Sequence, residues 1–316
     1  MGTTHLSGLQ VAGVPTMGTG VLPLGNTYFY VDSVNGNNGN PGTFDSPFAG
    51  LETAINACTA NSGCIIVIKA GHTETITSAT SILFDVAGIE IVGLGNGANR
   101  PTFTFTTANT ARIPVSAANI KISNCIFIGN FLSIATCFLL TTAPNFWVDN
   151  CAFRDTSATL GFLSIITTTV SVNSDGLTVT NNTVQSDATT SPGPMIVIAN
   201  TLDRLTVTGN YVVHTVASNN VAALIAHGAL VVTHAMIAWN YIYSINTDTA
   251  TGGILLTTSA TTGSGMIMHN RIRALDVAAA ILVTATAVQY GMFDNLYIGE
   301  TTQASGFVLP AIGTDA

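Results

Sequence analysis

Charge is scarce in this chain. Of its 316 residues only 8% are charged, 16 acidic and 8 basic, which gives a formal net charge of -8. No Lys/Arg cluster occurs anywhere, and without grouped cations to neutralise phosphates a nucleic-acid partner is excluded. No apolar run reaches the roughly 18 residues that a membrane span requires. The start, "MGTTHLSGLQVAGVPTMG", has neither the basic head nor the apolar core of a signal peptide, so the expectation is a chain that is neither exported nor membrane-bound. The cysteines, Cys58, Cys64, Cys125, Cys137 and Cys151, are odd in number and include no CxxC pair. That spacing argues against a zinc site and reads as small buried hydrophobes in a reducing compartment, with a Cys58–Cys64 bridge compatible but incidental to function. Aromatics make up only 7%, and many fall at inward positions, so a carbohydrate groove is weakly supported.

Hydrophobic residues, by contrast, make up 47% of the chain, and Thr, Ser, Asn and Gly supply most of the polarity. This balance suits stacked β-structure with a Thr/Asn outer face. A short alternating segment, an Asn and a second alternating segment recur in "IKISNCIFIGN", "FWVDNCAFRD", "LTVTNNTVQS", "LTVTGNYVVH", "MIAWNYIYSI" and "MIMHNRIRAL". Aligned on the Asn, these give Asn124, Asn150, Asn182, Asn210, Asn240, Asn270 and Asn295, with Gly93 in the same place one step earlier and intervals of 25 to 32 residues. A period of this size means a solenoid. Its apolar residues alternate at period two, as Ile120, Ile122, Cys125 and Phe127 do, so each unit is β. Asn and Gly enter left-handed backbone at least cost, so the repeated Asn predicts a corner, with side chains that hydrogen-bond as a ladder. Leu177, Val179, Leu205 and Val207 sit one residue further from their Asn, which predicts a corner one residue wider in those coils.

The pattern resembles the right-handed parallel β-helix of the pectin-lyase-like superfamily over about residues 27–300. The most specific part is the entry, "YFYVDSVNGNNGNPGTFDSPFAGLETAINAC" followed by "GCIIVIKAGHTETI". It predicts a short strand, a Gly/Asn loop, a capping helix over about Pro47–Cys58 with Phe48, Leu51, Ala54, Ile55 and Cys58 on one face, and the first coil strand. The expected organisation is an extended arm over 1–26, an entry strand, loop and cap over 27–62, a parallel β-helix over 63–300, and a C-terminal strand or cap over 301–316.

Enzymes of that superfamily group their acids on one sheet. Here Asp149, Asp155, Asp175, Asp187, Asp203, Asp248, Asp276 and Asp294 are mostly single, and no acidic column emerges from the alignment. The paired carboxyls of glycoside hydrolysis are not legible, His214, His227, His234 and His269 are dispersed, and "RIR" at Arg271–Arg273 reads as solvated or interfacial. The expectation is no enzyme, no cofactor and no metal. The oxygen-rich loop Asp32–Asp45 lacks EF-hand spacing, and turn chemistry accounts for it.

A second segment in each unit is apolar without alternation, as in "PMIVIAN" and "GGILLTTSA", and so reads as covered on both faces. It predicts an outward stripe of Leu139, Ile165, Ile196, Leu224, Leu255 and Leu282 that associates into a homotrimer. The arm is nearly uncharged and too apolar for a free tail, so Thr4, His5, Leu6, Leu9, Val11, Val14, Pro15 and Met17 are expected to anchor the chain on another surface. A sparsely charged, trimeric β-helix with such an arm resembles bacteriophage capsid decoration, or cement, proteins. That resemblance implies a structural virion component on the outer capsid surface, partnered by the major capsid protein. The alternative reading is a phage tailspike or fibre β-helix that binds host polysaccharide.

Overall fold

The computed structural model describes residues 10–11, 14–15, 27–170, 172–187, 193–215, 223–227, 231–244, 251–257, 263–274, 279–284, 289–298 and 306–307. Within these, the chain winds through three parallel sheets in turn. One full coil consists of Glu90–Gly93 in sheet I, Thr102–Phe105 in sheet II and Ile113–Val115 in sheet III, after which Lys121–Ser123 re-enters sheet I beside Glu90–Gly93. Sheets I and II have ten strands each and sheet III has seven. Every pairing within them is parallel except the last, where Gly306–Phe307 closes sheet II antiparallel to Leu296–Ile298. The fold is the parallel β-helix that the period-two repeat predicts.

Each side of the coil has room for only a few residues, so alternation selects one or two that point inward. In sheet II the inward column is Phe103, Phe127, Phe153, Val184, Val212, Ile242 and Ile272, each at most 4% exposed. Phe103, Phe127 and Phe153 stack at 5.4 and 5.1 Å, and Phe138 of sheet III meets Phe127 edge-on at 5.1 Å. Each such pair contributes about 0.5–1.5 kcal/mol beyond its area burial. The helix Leu51–Ala57 buries Leu51, Ala54 and Ile55 over the first coil, with Phe48 beside them, so the cap is present although shorter than predicted. A Cys58–Cys64 disulfide ties its end to the first coil strand. Cys125, Cys137 and Cys151 are free and buried.

The corners differ from the alignment in a way that matters. From Asn124 onward a single residue between sheets I and II takes left-handed backbone in each coil: Asn124, Asn150, Asn181, Gly209, Trp239, His269 and Asp294, with φ from 45° to 68°. The residue after it turns inward, giving the column Cys125, Cys151, Asn182, Asn210, Asn240, Asn270 and Asn295. The recurring Asn is therefore two things. In Asn124 and Asn150 it is the corner itself; in the five later coils it is a buried ladder one position on. This one-position difference places Leu177 and Leu205 correctly inward without any wider corner. Gly93 shares the register of Asn124 but is not left-handed; a Cβ there would lie 2.4 Å from the Asn124 carbonyl oxygen, so it is small because the next coil passes close. A second left-handed column, Gly63, Gly88, Asn119, Asn145, Gly176, Arg204 and His234, marks the entry to sheet I and was not read from the sequence.

The outward stripe also changes membership. Ile165, Ile196 and Leu224 are buried in the coil interior. Sheet III register instead places Pro114, Leu139, Thr167, Val197 and Ala226 outward, whereas the side chains of Leu255 and Leu282 lie outside the described residues. Alternation was weak there, and a shift of one residue exchanges the two faces. Of the arm, only Gln10–Val11 paired with Val14–Pro15 is described, and the anchoring side chains proposed on it lie outside the described residues.

Candidate functional site

Three successive upper coils put Trp239, His269 and Asp294 at the corner where lower coils carry Asn or Gly. A bulky or β-substituted residue in left-handed backbone costs about 1–2 kcal/mol relative to Gly. The ladder beneath holds them there. Asn210 donates from Nδ2 to Asn240 Oδ1 at 3.0 Å and to the Val179 carbonyl at 2.9 Å, and Asn240 repeats the pattern onto Asn270 and Val207 at 3.0 and 2.9 Å. With the inward Asn fixed, the residues on either side of it must point out.

The outcome is a surface of stacked rings. Trp239 is 58% exposed and lies against His269 at 5.6 Å with an interplanar angle of 17°. On its other side the column continues with Gly209, which has no side chain. Across the inward Asn240, Tyr241 stacks on Tyr211 at 5.0 Å and 10°, and both rings are exposed. Phe293 and Met266 extend the exposed apolar area over the adjoining outer face of sheet I.

Polar groups border the rings. Asp294 Oδ2 holds His269 Nδ1 at 2.8 Å and lies 3.8 Å from Arg271 Nη2, while Arg271 Nη1 donates to the Asp294 carbonyl at 3.1 Å. At the opposite edge of the sheet I strands, Asp203 holds His234 Nδ1 at 2.6 Å, accepts from Thr233 Oγ1 at 2.6 Å and pairs with Arg204 at 2.9 Å. The hydrogen bonds from His234 and then Thr233 hold its carboxyl down at about 2. Asp175 stands one coil below, its Oδ1 accepting from the Asp203 backbone N–H at 2.8 Å. Acids that looked single are therefore neighbours: Asp175 with Asp203, and each of two dispersed histidines with an Asp one coil away. Asp149 and Asp294 do not share a column, since Asp149 lies in the outer row of sheet I, accepting from Thr180 Oγ1 at 2.7 Å.

Lower on sheet I, Lys121 lies 4.2 Å from the Trp147 ring and 3.0 Å from Glu90. Arg273 lies over Tyr243 at 4.9 Å. In the entry loop the Asp32 carboxylate accepts from the backbone N–H groups of Val34 and Asn35 at 2.9 and 3.3 Å and lies 3.6 Å from Lys69, as turn chemistry predicts. Among the described residues no group of three or more His, Cys, Asp or Glu is placed to hold a metal ion, and no helix is long and apolar enough to cross a membrane. Sequence reading missed the corner surface because its members are 25 to 31 residues apart and meet only through register. The signal that was present is the substitution of Trp, His and Asp at a position otherwise Asn or Gly.

No family model matches the chain, and no curated protein matches it. Solved structures with the same coil architecture include a rhamnogalacturonan lyase, 15% identical, TM-score 0.44, covering 79% of this chain and 74% of that one. A tailspike protein of E. coli bacteriophage HK620, solved in complex with a pentasaccharide, is 14% identical with a TM-score of 0.41. That match covers 80% of this chain, which spans only 59% of the tailspike. A GH136 lacto-N-biosidase from Eubacterium ramulus is 10% identical with a TM-score of 0.30, covering 86% of this chain and 67% of that one. At these identities the likeness is one of fold. It does correct one expectation: coils of this kind are found in a lyase and a glycosidase, so scattered acids along the sequence do not make this chain a non-enzyme.

Proposed function

We propose that the chain is a carbohydrate-binding β-helix whose recognition surface is the corner built by Tyr211, Trp239, Tyr241, His269, Arg271 and Asp294. The observation that carries this reading is Trp239: a large ring in costly left-handed backbone, more than half exposed, stacked on one side only. Buried rings need no such placement, and a solvated corner is cheaper as Asn or Gly. Flat aromatic faces pack against the C–H faces of pyranose rings, and His269, Asp294 and Arg271 supply directional partners for sugar hydroxyls. Stacked coils repeat the arrangement along the axis, which suits an extended polysaccharide over a compact small molecule.

The test uses the two tryptophans, since Trp147 and Trp239 are the chain's only ones. Titration of the Trp147→Phe protein with a panel of purified bacterial and plant polysaccharides is expected to shift Trp239 emission saturably for at least one of them. A panel that leaves emission unchanged and binds nothing by calorimetry overturns the reading. On a phage particle this function places the chain at the tail, and gold-labelled antibody is expected at the tail tip; label spread over the heads would return the chain to capsid decoration.

A further inference from the structure

The third face of the coil carries a different message from the corner opposite it. None of the seven strands of sheet III contains Asp, Glu, Lys or Arg. Over five successive coils their outward positions form one apolar column, Pro114, Leu139, Val197 and Ala226 with the single Thr167 between. Charges lie instead on sheets I and II and at the corners, where Glu90, Lys121, Asp149, Arg154, Asp203, Arg271 and Asp294 are found.

We infer that further copies of this chain cover the sheet III column, three copies meeting around an axis parallel to their solenoids. Three arguments select that occupant. Two copies of a chain of net charge -8 that meet through sheets I or II must desolvate the charged side chains carried there, whereas no strand of sheet III carries one to bury. The column repeats at the inter-strand spacing of about 4.8 Å, and a partner with the same rise matches it level for level. A threefold axis supplies that match because it keeps all three solenoids parallel and in register. Finally, the column is one residue wide across the five three-residue strands from Ile113–Val115 to Ile225–His227 and so forms a ridge. In a pair, one flank of each ridge stays wet; around a threefold axis both neighbours cover it. The aromatic corner between sheets I and II then faces outward from the axis, so assembly leaves it open.

Sedimentation velocity of the full chain at low micromolar concentration is expected to give a single species of three times the 32.6 kDa chain mass. The paired substitution Leu139→Glu with Val197→Glu is expected to give monomers with an unchanged far-UV spectrum, while Thr206→Glu on the outer face of sheet I leaves the trimer intact. A wild-type monomer or dimer overturns the inference, as does a trimer that survives the paired substitution. If the paired variant loses its β-sheet signal, Leu139→Ser alone decides: a tenfold or greater rise in the concentration at half-dissociation supports the ridge, and no rise overturns it.

Discussion

Asn210 Oδ1 accepts from both the backbone N–H and the side-chain Nδ2 of Asn182, one coil below, at 3.0 and 3.1 Å. The same double acceptance recurs from Asn210 to Asn240, Asn240 to Asn270 and Asn270 to Asn295, with every one of these side chains at most 1% exposed. Each carboxamide also donates to a carbonyl of the coil below, so an interior member such as Asn240 makes four side-chain hydrogen bonds inside an apolar column. Only a group that donates and accepts together fits. Cys125 and Cys151 fill the same column lower down, where Asn182 already serves the Cys151 N–H at 2.9 Å.

Asn240→Ala is therefore expected to strand the Asn210 N–H and Nδ2 and the Val207 carbonyl, at a cost of about 2–4 kcal/mol. Asn240→Asp removes the donors and buries a charge, and is expected to cost at least as much. Urea midpoints read both. Retention of wild-type stability by either variant would show that the ladder is not cooperative.

His214 supplies a pH dependence. It is fully buried, neither ring nitrogen has a hydrogen-bond partner, and burial pushes its pKa down to about 4. The folded chain thus resists protonating a ring that the unfolded chain protonates near 6.5. Stability from this group is complete above pH 6.5 and falls as pH drops from there towards 4, by up to about 3 kcal/mol across the window. His214→Leu is expected to flatten the dependence of the urea midpoint between pH 7.5 and 4.5. An equally steep dependence in the variant would assign the acid sensitivity to other groups.

At the corner, Trp239→Ala is expected to weaken polysaccharide binding at least tenfold, about 1.4 kcal/mol, and Tyr241→Ala by a smaller factor. Neither ring is needed by the core, so thermal midpoints are expected to fall little, or to rise for Trp239→Gly, which relieves left-handed strain. Calorimetry alongside thermal unfolding separates the two effects, and unaltered affinity in Trp239→Ala would remove this ring from recognition.

The Cys58–Cys64 bridge closes a loop with a sequence separation of 6. A loop that short is worth about 2 kcal/mol in chain entropy. Reduction is expected to lower the thermal midpoint by releasing the helix cap from the first coil strand. Without reductant the native chain is expected to show no thiol reactive towards an aromatic disulfide reagent, because burial raises the Cys125, Cys137 and Cys151 thiols above their ordinary value. One or more reactive thiols before reduction would argue against the bridge.

The sequence by itself determined the coil. Period-two alternation around a recurring Asn, repeated at intervals within one narrow band, admits little besides a β-solenoid, and the helix face of Leu51, Ala54 and Ile55 named its cap. Those are local properties, written in residues near one another. What the tertiary structure decided is which residues share a column. Coil lengths vary because the connections between strands vary, so the spacing from Asp203 to His234 is 31 residues but from His269 to Asp294 only 25. A shift of one position then exchanges corner for ladder and inside for outside. That is why Asn182 proved to be ladder while Asn181 turns the corner, and why Ile196 faces the core while Val197 faces out. Parallel hydrogen bonding between coils fixes the register to the single residue, and only that register brings Trp239 onto His269.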